Sequence, residues 1–216
     1  MSTRATYLFE ADLSNCRPAV CFYIHHDGYP EGAAEYFLAA LLHTNERGGL
    51  AERFIHANDG AEFTGSHQAH GDTEFRYTVN PDYTLLAEAR VGFSNEWRTH
   101  FYGNLLDFVE AKNGTKLIRH QGRVYDLASA CQQVTQRLDY VSHALKNNWV
   151  GNASSSANDA WKLRCAMLKA YGESDFLSQT DKTIEAADRV FCSAYDWEDH
   201  HGERAFEAWR EQFRTE

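Results

Sequence analysis

The spacing of the apolar residues changes near Asp126, and this change constrains the fold more than any other feature. After it, apolar residues recur at 4-3-4-3-4 spacing, which predicts a long amphipathic helix. This stripe comprises Leu127, Cys131, Val134, Leu138, Val141 and Leu145. Before it, short segments alternate apolar and polar residues, as strands do. The sequence therefore predicts an α+β protein in which an antiparallel, strand-rich half (residues 1–125) packs with a helical half (residues 126–216).

Turn residues divide the first half into short elements. Asn80-Pro81-Asp82 is a turn signal between two alternating segments, and Asn113-Gly114 ends a helical one. Strands are predicted at residues 4–9, 18–25, 75–79, 83–89, 96–102, 116–120 and 123–125. Helices are predicted at residues 30–43, 50–57 and 105–111, and residues 58–73 form a polar loop.

Three further helices are expected in the second half. Residues 151–156 suit a flexible link, and Ser156 with Asp159 resembles a capping box. The predicted apolar stripes are Trp161, Cys165, Leu168 and Tyr171, then Ile184, Ala187, Phe191 and Ala194, then Phe206, Trp209 and Phe213. Because no linker separates Tyr125 from Asp126, we expect a single domain spanning residues 1–216.

The net charge of −10 limits the classes of partner. Binding to a nucleic-acid backbone needs clustered Lys and Arg, so we expect no direct nucleic-acid contact, whereas a protein with a basic surface fits. No apolar run reaches 18 residues, and the first residues lack the apolar core of a signal peptide, so no membrane contact and a cytoplasmic location are expected. The five cysteines, without a Cys-x-x-Cys pair, are expected to be reduced and to pack as small apolar side chains.

The segment His25–Gly32 is the strongest candidate for a site. It joins the end of a predicted strand to the start of a predicted helix, where loops are often held by rigid elements and backbone N–H groups converge. We select His26, Asp27, Tyr29 and Glu31 as candidate binding residues, because a turn requires neither an imidazole nor a phenol.

A purely structural role explains part of this segment equally well. Asp27-Gly28 forms a turn in which Gly28 can supply a positive φ, Pro30 suits the first helical position, and Glu31 favours the positive end of the helix dipole. His25 and His26 point to opposite sides of a strand, so both face one site only if the chain kinks.

A second group of potential ligands, His67, His70 and Asp72, lies in the polar loop. A His-x-x-His-x-Asp spacing can contribute metal ligands, but no predicted element holds it, so we interpret it as exposed loop. The sequence also lacks the common nucleophile-elbow, phosphate-loop, dinucleotide and zinc-protease motifs. We therefore expect no metal and no cofactor.

The beginning of the chain resembles a group of small proteins from phages, prophages and other bacterial mobile elements. The resemblance rests on Ser2-Thr3-Arg4-Ala5-Thr6-Tyr7 and on His26-Asp27-Gly28-Tyr29-Pro30-Glu31-Gly32, and it covers about the first 45 residues. It implies a bacterial host cell. Accessory proteins of such elements often block host defences, so the resemblance implies an anti-defence role of the anti-CRISPR kind.

Two functional hypotheses follow. The first is an inhibitor without chemistry of its own, which binds a host protein or nucleoprotein defence complex. The second is a small hydrolase or transferase that uses the loop from His25 to Glu31 for acid–base work. The acidic balance and the missing catalytic motifs favour the first.

Overall fold

The computed structural model describes residues 3–43, 48–92, 94–147 and 150–172. The chain divides into two units, Met1–Leu117 and Ile118–Glu216. The predicted helices at residues 184–194 and 206–213 lie outside the described residues. The packing of the two halves into one domain stays a prediction.

A mixed six-stranded sheet is the framework of the first unit. Its strands are β1 (Ala5–Phe9), β2 (Val20–Ile24), β3 (Ala61–Thr64), β4 (Phe75–Val79), β5 (Thr84–Arg90) and β6 (Trp97–Asn104). Their order is β3-β2-β1-β4-β5-β6. The α+β class is confirmed, and the strand pairs of this sheet are antiparallel except for β1 and β4, which run parallel. The sequence did not predict β3. From β3 the chain crosses the sheet past β2 and β1, and β4 then runs parallel to β1.

Three helices cover one face of this sheet: α1 (Pro30–Leu42), α2 (Leu50–Ala57) and α3 (Leu105–Asn113). Strand alternation places Tyr7 and Tyr77 on that face, where their rings stack at 5.1 Å and pack against Phe37 of α1. All three side chains are fully buried. Burial of such large rings removes much apolar surface from water and so stabilises this unit.

The second unit combines a hairpin with two long helices. Strands β7 (Ile118–His120) and β8 (Arg123–Tyr125) form the predicted hairpin, and its turn residues Gln121 and Gly122 both have positive φ. Helices α4 (Leu127–Lys146) and α5 (Val150–Tyr171) follow. Ile118 shares a buried cluster with residues of both helices. Within this unit the hairpin therefore packs with the two helices.

The predicted flexible link at residues 151–156 and the capping box at Ser156 are wrong, because both lie inside α5. The helix continues through these weak helix formers since its buried stripe, Ala160, Leu163 and Met167, packs against α4. Asp159 instead forms an ion pair with Arg137 of α4 at 2.8 Å. The predicted end of this helix at Gly172, which has a φ of 75°, is confirmed.

The cysteines only partly follow the expectation of packing. Cys21 is buried, and burial raises the pKa of its thiol to about 11. Cys131 is half-buried, whereas Cys16 and Cys165 are exposed. The face of α5 was therefore misassigned: its deepest residues lie one or two positions before the predicted stripe. None of the described helices is both long and apolar enough to cross a membrane.

Candidate functional site

Three hydrogen bonds hold the backbone of the loop between β2 and α1. The Gly28 N–H donates to the Thr3 carbonyl at 2.9 Å, and the Tyr77 hydroxyl donates to the Gly28 carbonyl at 2.9 Å. The Tyr36 hydroxyl donates to the His26 carbonyl at 3.1 Å. Burial raises the pKa of the Tyr77 phenol, so the phenol stays neutral and remains a donor. The loop is therefore fixed at both its middle and its start.

Close backbone contact, and not a positive φ, explains the glycine at position 28. A Cβ there would lie 2.6 Å from the Ala5 Cβ and 2.8 Å from the Ala5 nitrogen. The positive φ, 50°, belongs to Asp27, so the expectation that Gly28 supplies it is wrong. Asp is one of the few non-glycine residues that adopt this conformation at modest cost. Gly32 is required as well, because a Cβ there would overlap the Asp27 carbonyl.

The predicted binding residues lie on the outside of this fixed backbone. His26, Asp27 and Glu31 are exposed, and Tyr29 is 41% exposed, whereas Pro30 is buried at the first position of α1. The loop thus presents His26, Asp27 and Tyr29 to solvent within four successive positions. Pro30 starts the helix as predicted.

Glu31 is held by an ion pair. Its carboxylate lies 3.1 Å from the Lys112 ammonium on α3. A hydrogen bond from its own backbone N–H, followed by the one from Lys112, lowers the pKa of the carboxyl group. A carboxylate with a lowered pKa is a weak base, so Glu31 is better suited to fixing α1 against α3 than to accepting protons.

His25 belongs to a different surface. Its ring packs edge-on against Tyr23 at 4.6 Å, and its Nε2 lies 3.4 Å from a carboxylate oxygen of Glu62 on β3. The centroids of the His25 and His26 rings are 6.3 Å apart, too far for direct hydrogen bonding between the rings. The two imidazoles are therefore neighbours without a hydrogen bond between their rings.

The sequence did not predict a polar layer that lies on the face of the sheet opposite α1, α2 and α3. The exposed-loop interpretation is wrong for His67, whose half-buried ring bridges Thr6 of β1 at 2.7 Å and Thr78 of β4 at 3.0 Å. Burial, with a smaller contribution from Arg76, lowers the pKa of His67 to about 4. The neutral ring satisfies both threonine hydroxyls in either tautomer, since a hydroxyl can donate or accept.

Beside it, Arg76 of β4 donates to both carboxylate oxygens of Glu88 on β5, at 2.6 and 3.0 Å. The same guanidinium lies 4.4 Å from the centre of the Trp97 ring. The sequence signal for this layer was available: Thr6, Arg76 and Thr78 have the opposite strand parity to the buried tyrosines. Polar side chains on the second face of the sheet need hydrogen-bond partners. For Thr6 and Thr78 the partner is His67, in the loop that crosses this face.

His70 and Asp72, the other two predicted ligands in the polar loop, attach the end of this loop that precedes β4 to the sheet. His70 is half-buried and stacks on Tyr23 with ring centroids 3.8 Å apart. Asp72 accepts a hydrogen bond from the Tyr23 hydroxyl at 3.2 Å and pairs with Arg4 at 3.2 Å. These side chains act as hydrogen-bonding anchors for the loop. In the described part of the chain, no group of three or more His, Cys, Asp or Glu side chains is arranged to hold a metal ion.

Comparison with protein families, with curated proteins and with solved structures finds no match to this chain.

Proposed function

We propose that this protein acts as a binding inhibitor whose contact residues include His26, Asp27 and Tyr29. The observation that supports this most is the contrast within one loop: its backbone is anchored to the core by Thr3, Tyr77 and Tyr36, while its side chains face solvent. A binding surface that is already ordered loses less conformational entropy on association. Tyrosine is also frequent among the side chains that dominate binding energy.

The partner in this proposal is a host protein or nucleoprotein defence complex, and the protein is an anti-CRISPR-like accessory of a phage or mobile element. The resemblance of its first 45 residues or so motivates the class of partner. The net charge of −10 suits a partner with a basic surface, such as a complex that handles nucleic acid. The alternative, a small hydrolase or transferase, has less support because Lys112 engages Glu31 and His25 faces Glu62.

The test is a pull-down with the tagged protein from a bacterium that carries an active defence system. We expect a defence complex to bind the wild type and to be lost with His26→Ala and Tyr29→Ala, while the melting temperature stays unchanged. Tyr140→Ala is the matched control, because Tyr140 is also 41% exposed but lies on α4. Retention of the same partner by both loop variants would remove the loop from the proposal.

Stoichiometry separates the inhibitor from the enzyme. An inhibitor without chemistry reaches full effect at about one molecule per target and not below it. Inhibition of the purified complex at far lower ratios would instead support the hydrolase or transferase.

A further inference from the structure

The parallel pair β1 and β4 creates a crevice at its carboxyl ends. From Phe9 the chain turns toward β2, and from Val79 it turns toward β5, on the opposite side. Connections that diverge from neighbouring parallel strands leave space between them, and ligands of open sheets bind in such spaces. In the described sheet, β1 and β4 are the one parallel pair. The topology therefore indicates the carboxyl ends of these two strands as a candidate ligand site.

A cavity of about 420 Å³ occupies this position. Its walls are the loop from Glu10 to Pro18, the turn from Asn80 to Tyr83 and the first turn of α2 from Gly49 to Arg53. The volume lies within the range of about 300–1,000 Å³ that is typical of small-molecule sites. The candidate binding loop between β2 and α1 is at the other end of β1, next to Ala5.

Arg53 lines this cavity, and one of its hydrogen-bond donors lacks an acceptor among the described residues. Its Nη2 donates to the Tyr83 hydroxyl at 2.9 Å, whereas its Nε is buried and has no hydrogen-bond acceptor within the described part of the chain. No carboxylate among the described residues forms an ion pair with it. A buried guanidinium N–H without an acceptor costs free energy, and the half-buried Arg53 side chain lines the cleft, so a ligand oxyanion there would accept from the guanidinium.

Tyr83 orients the Arg53 side chain, and Arg17 neighbours two of the three acidic side chains that line the cleft, Asp12 and Glu52 but not Glu10. Tyr83 has a φ of 66°, a left-handed conformation that is unfavourable for an aromatic residue, and it places the phenol against Arg53. Arg17 lies 3.8 Å from Asp12 and 3.7 Å from Glu52, so these two carboxylates already have a cationic neighbour.

We propose that this cleft binds a small organic molecule through a phosphate or carboxylate group, which accepts hydrogen bonds from the Arg53 guanidinium. The flat, forked guanidinium suits the two oxygens of either oxyanion. The proposal is independent of the binding loop, because the two surfaces lie at opposite ends of β1.

The test is an NMR titration of the full chain that follows the arginine Nε–H signals. Arg53→Lys, which keeps the charge but removes the Nε–H, assigns the Arg53 signal. The probes are inorganic phosphate and succinate, each added up to about 20 mM at constant ionic strength. The exposed Arg98 on β6 is the internal control for nonspecific effects.

We expect the Arg53 signal to shift saturably while the Arg98 signal stays still, and we expect Arg53→Lys to bind at least about tenfold more weakly by the response of its melting temperature. A response to phosphate alone assigns a phosphate ligand, a response to succinate alone assigns a carboxylate, and a response to both supports the shared oxyanion chemistry. No saturable shift with either probe, or equal shifts at Arg53 and Arg98, would overturn the proposal. Should Arg53→Lys fail to fold, through-bond assignment of the Arg53 Nε–H from its own backbone lets the wild-type titration decide alone.

Discussion

The hydroxyl of Tyr77 donates a hydrogen bond to the carbonyl of Gly28, across 2.9 Å, and so connects the middle of β4 to the loop before α1. Tyr77 is fully buried and its ring stacks on Tyr7, so its hydroxyl has little freedom to move. The position of the exposed loop therefore depends on packing deep in the sheet.

Tyr77→Phe removes this bond while keeping the ring. We expect the free energy of unfolding to fall by about 1–2 kcal/mol, because the Gly28 carbonyl is left without this donor. Urea unfolding measures the change. Tyr36→Phe is the control, since Tyr36 is only half-buried and should cost less. Equal stability of Tyr77→Phe and wild type would show that the bond contributes nothing.

Gly28→Ala tests whether close contact dictates the glycine. The added Cβ would lie 2.6 Å from the Ala5 Cβ, so β1 or the loop must shift, at a cost of about 1–3 kcal/mol. Gly60→Ala is the matched control, because a Cβ at position 60 meets no atom within 4 Å. Thermal melting of the two variants should differ clearly. If both melt like the wild type, the contact does not constrain the loop.

His67 should make the protein less stable in acid. Its pKa is lowered from 6.5 to about 4 in the folded chain, so between these values the unfolded chain binds more protons. Its contribution to stability is therefore lost as the pH falls from 6.5 toward 4. We expect a loss on the order of 2 kcal/mol, less than the full shift implies, because the ring is partly accessible to solvent.

Urea unfolding of wild type and His67→Gln across this pH range isolates the effect from that of other groups. The stability advantage of the wild type should shrink as the pH falls, because glutamine does not titrate. An advantage that stays constant with pH would contradict the burial of a neutral imidazole.

The Arg76–Glu88 pair should contribute more than an ordinary surface ion pair. It is bidentate, its side chains are 22% and 13% exposed, and Trp97 lies under the guanidinium. A double-mutant cycle with Arg76→Gln and Glu88→Gln should give a coupling energy of about 1–2 kcal/mol. A coupling energy near zero would show that the Arg76–Glu88 pair contributes as little to stability as an exposed ion pair does.

Local patterns were sufficient for most elements of the first unit. Pro30 at the start of α1 and Gly114 at the end of α3 act through their own backbone preferences, which need no tertiary contact. The hairpin of β1 and β2 follows from alternation, and helix α4 of the second unit follows from helical spacing. Strand β3 was hidden because four residues beside a polar loop carry too weak a pattern.

The candidate binding loop was recognisable from its residue types, but its internal roles were not. The positive φ lies at Asp27 because the Gly28 position is set by contact with β1, a strand more than twenty residues away in sequence. The role of His67 was also not recognisable from its residue type. His67 lies in the loop from β3 to β4, and only the path of this loop across the sheet places its ring between Thr6 and Thr78.

Residue order alone therefore determined the α+β class and most helix and turn boundaries of the first unit, since propensity, alternation and capping act over a few neighbouring residues. The tertiary structure decided the parallel pairing of β1 with β4, the continuation of α5 through residues 151–156 and the partners of His67 and Arg53. These features depend on which distant segments meet. Their stability comes from packing and hydrogen bonds between those segments, which outweigh the preferences of each segment by itself.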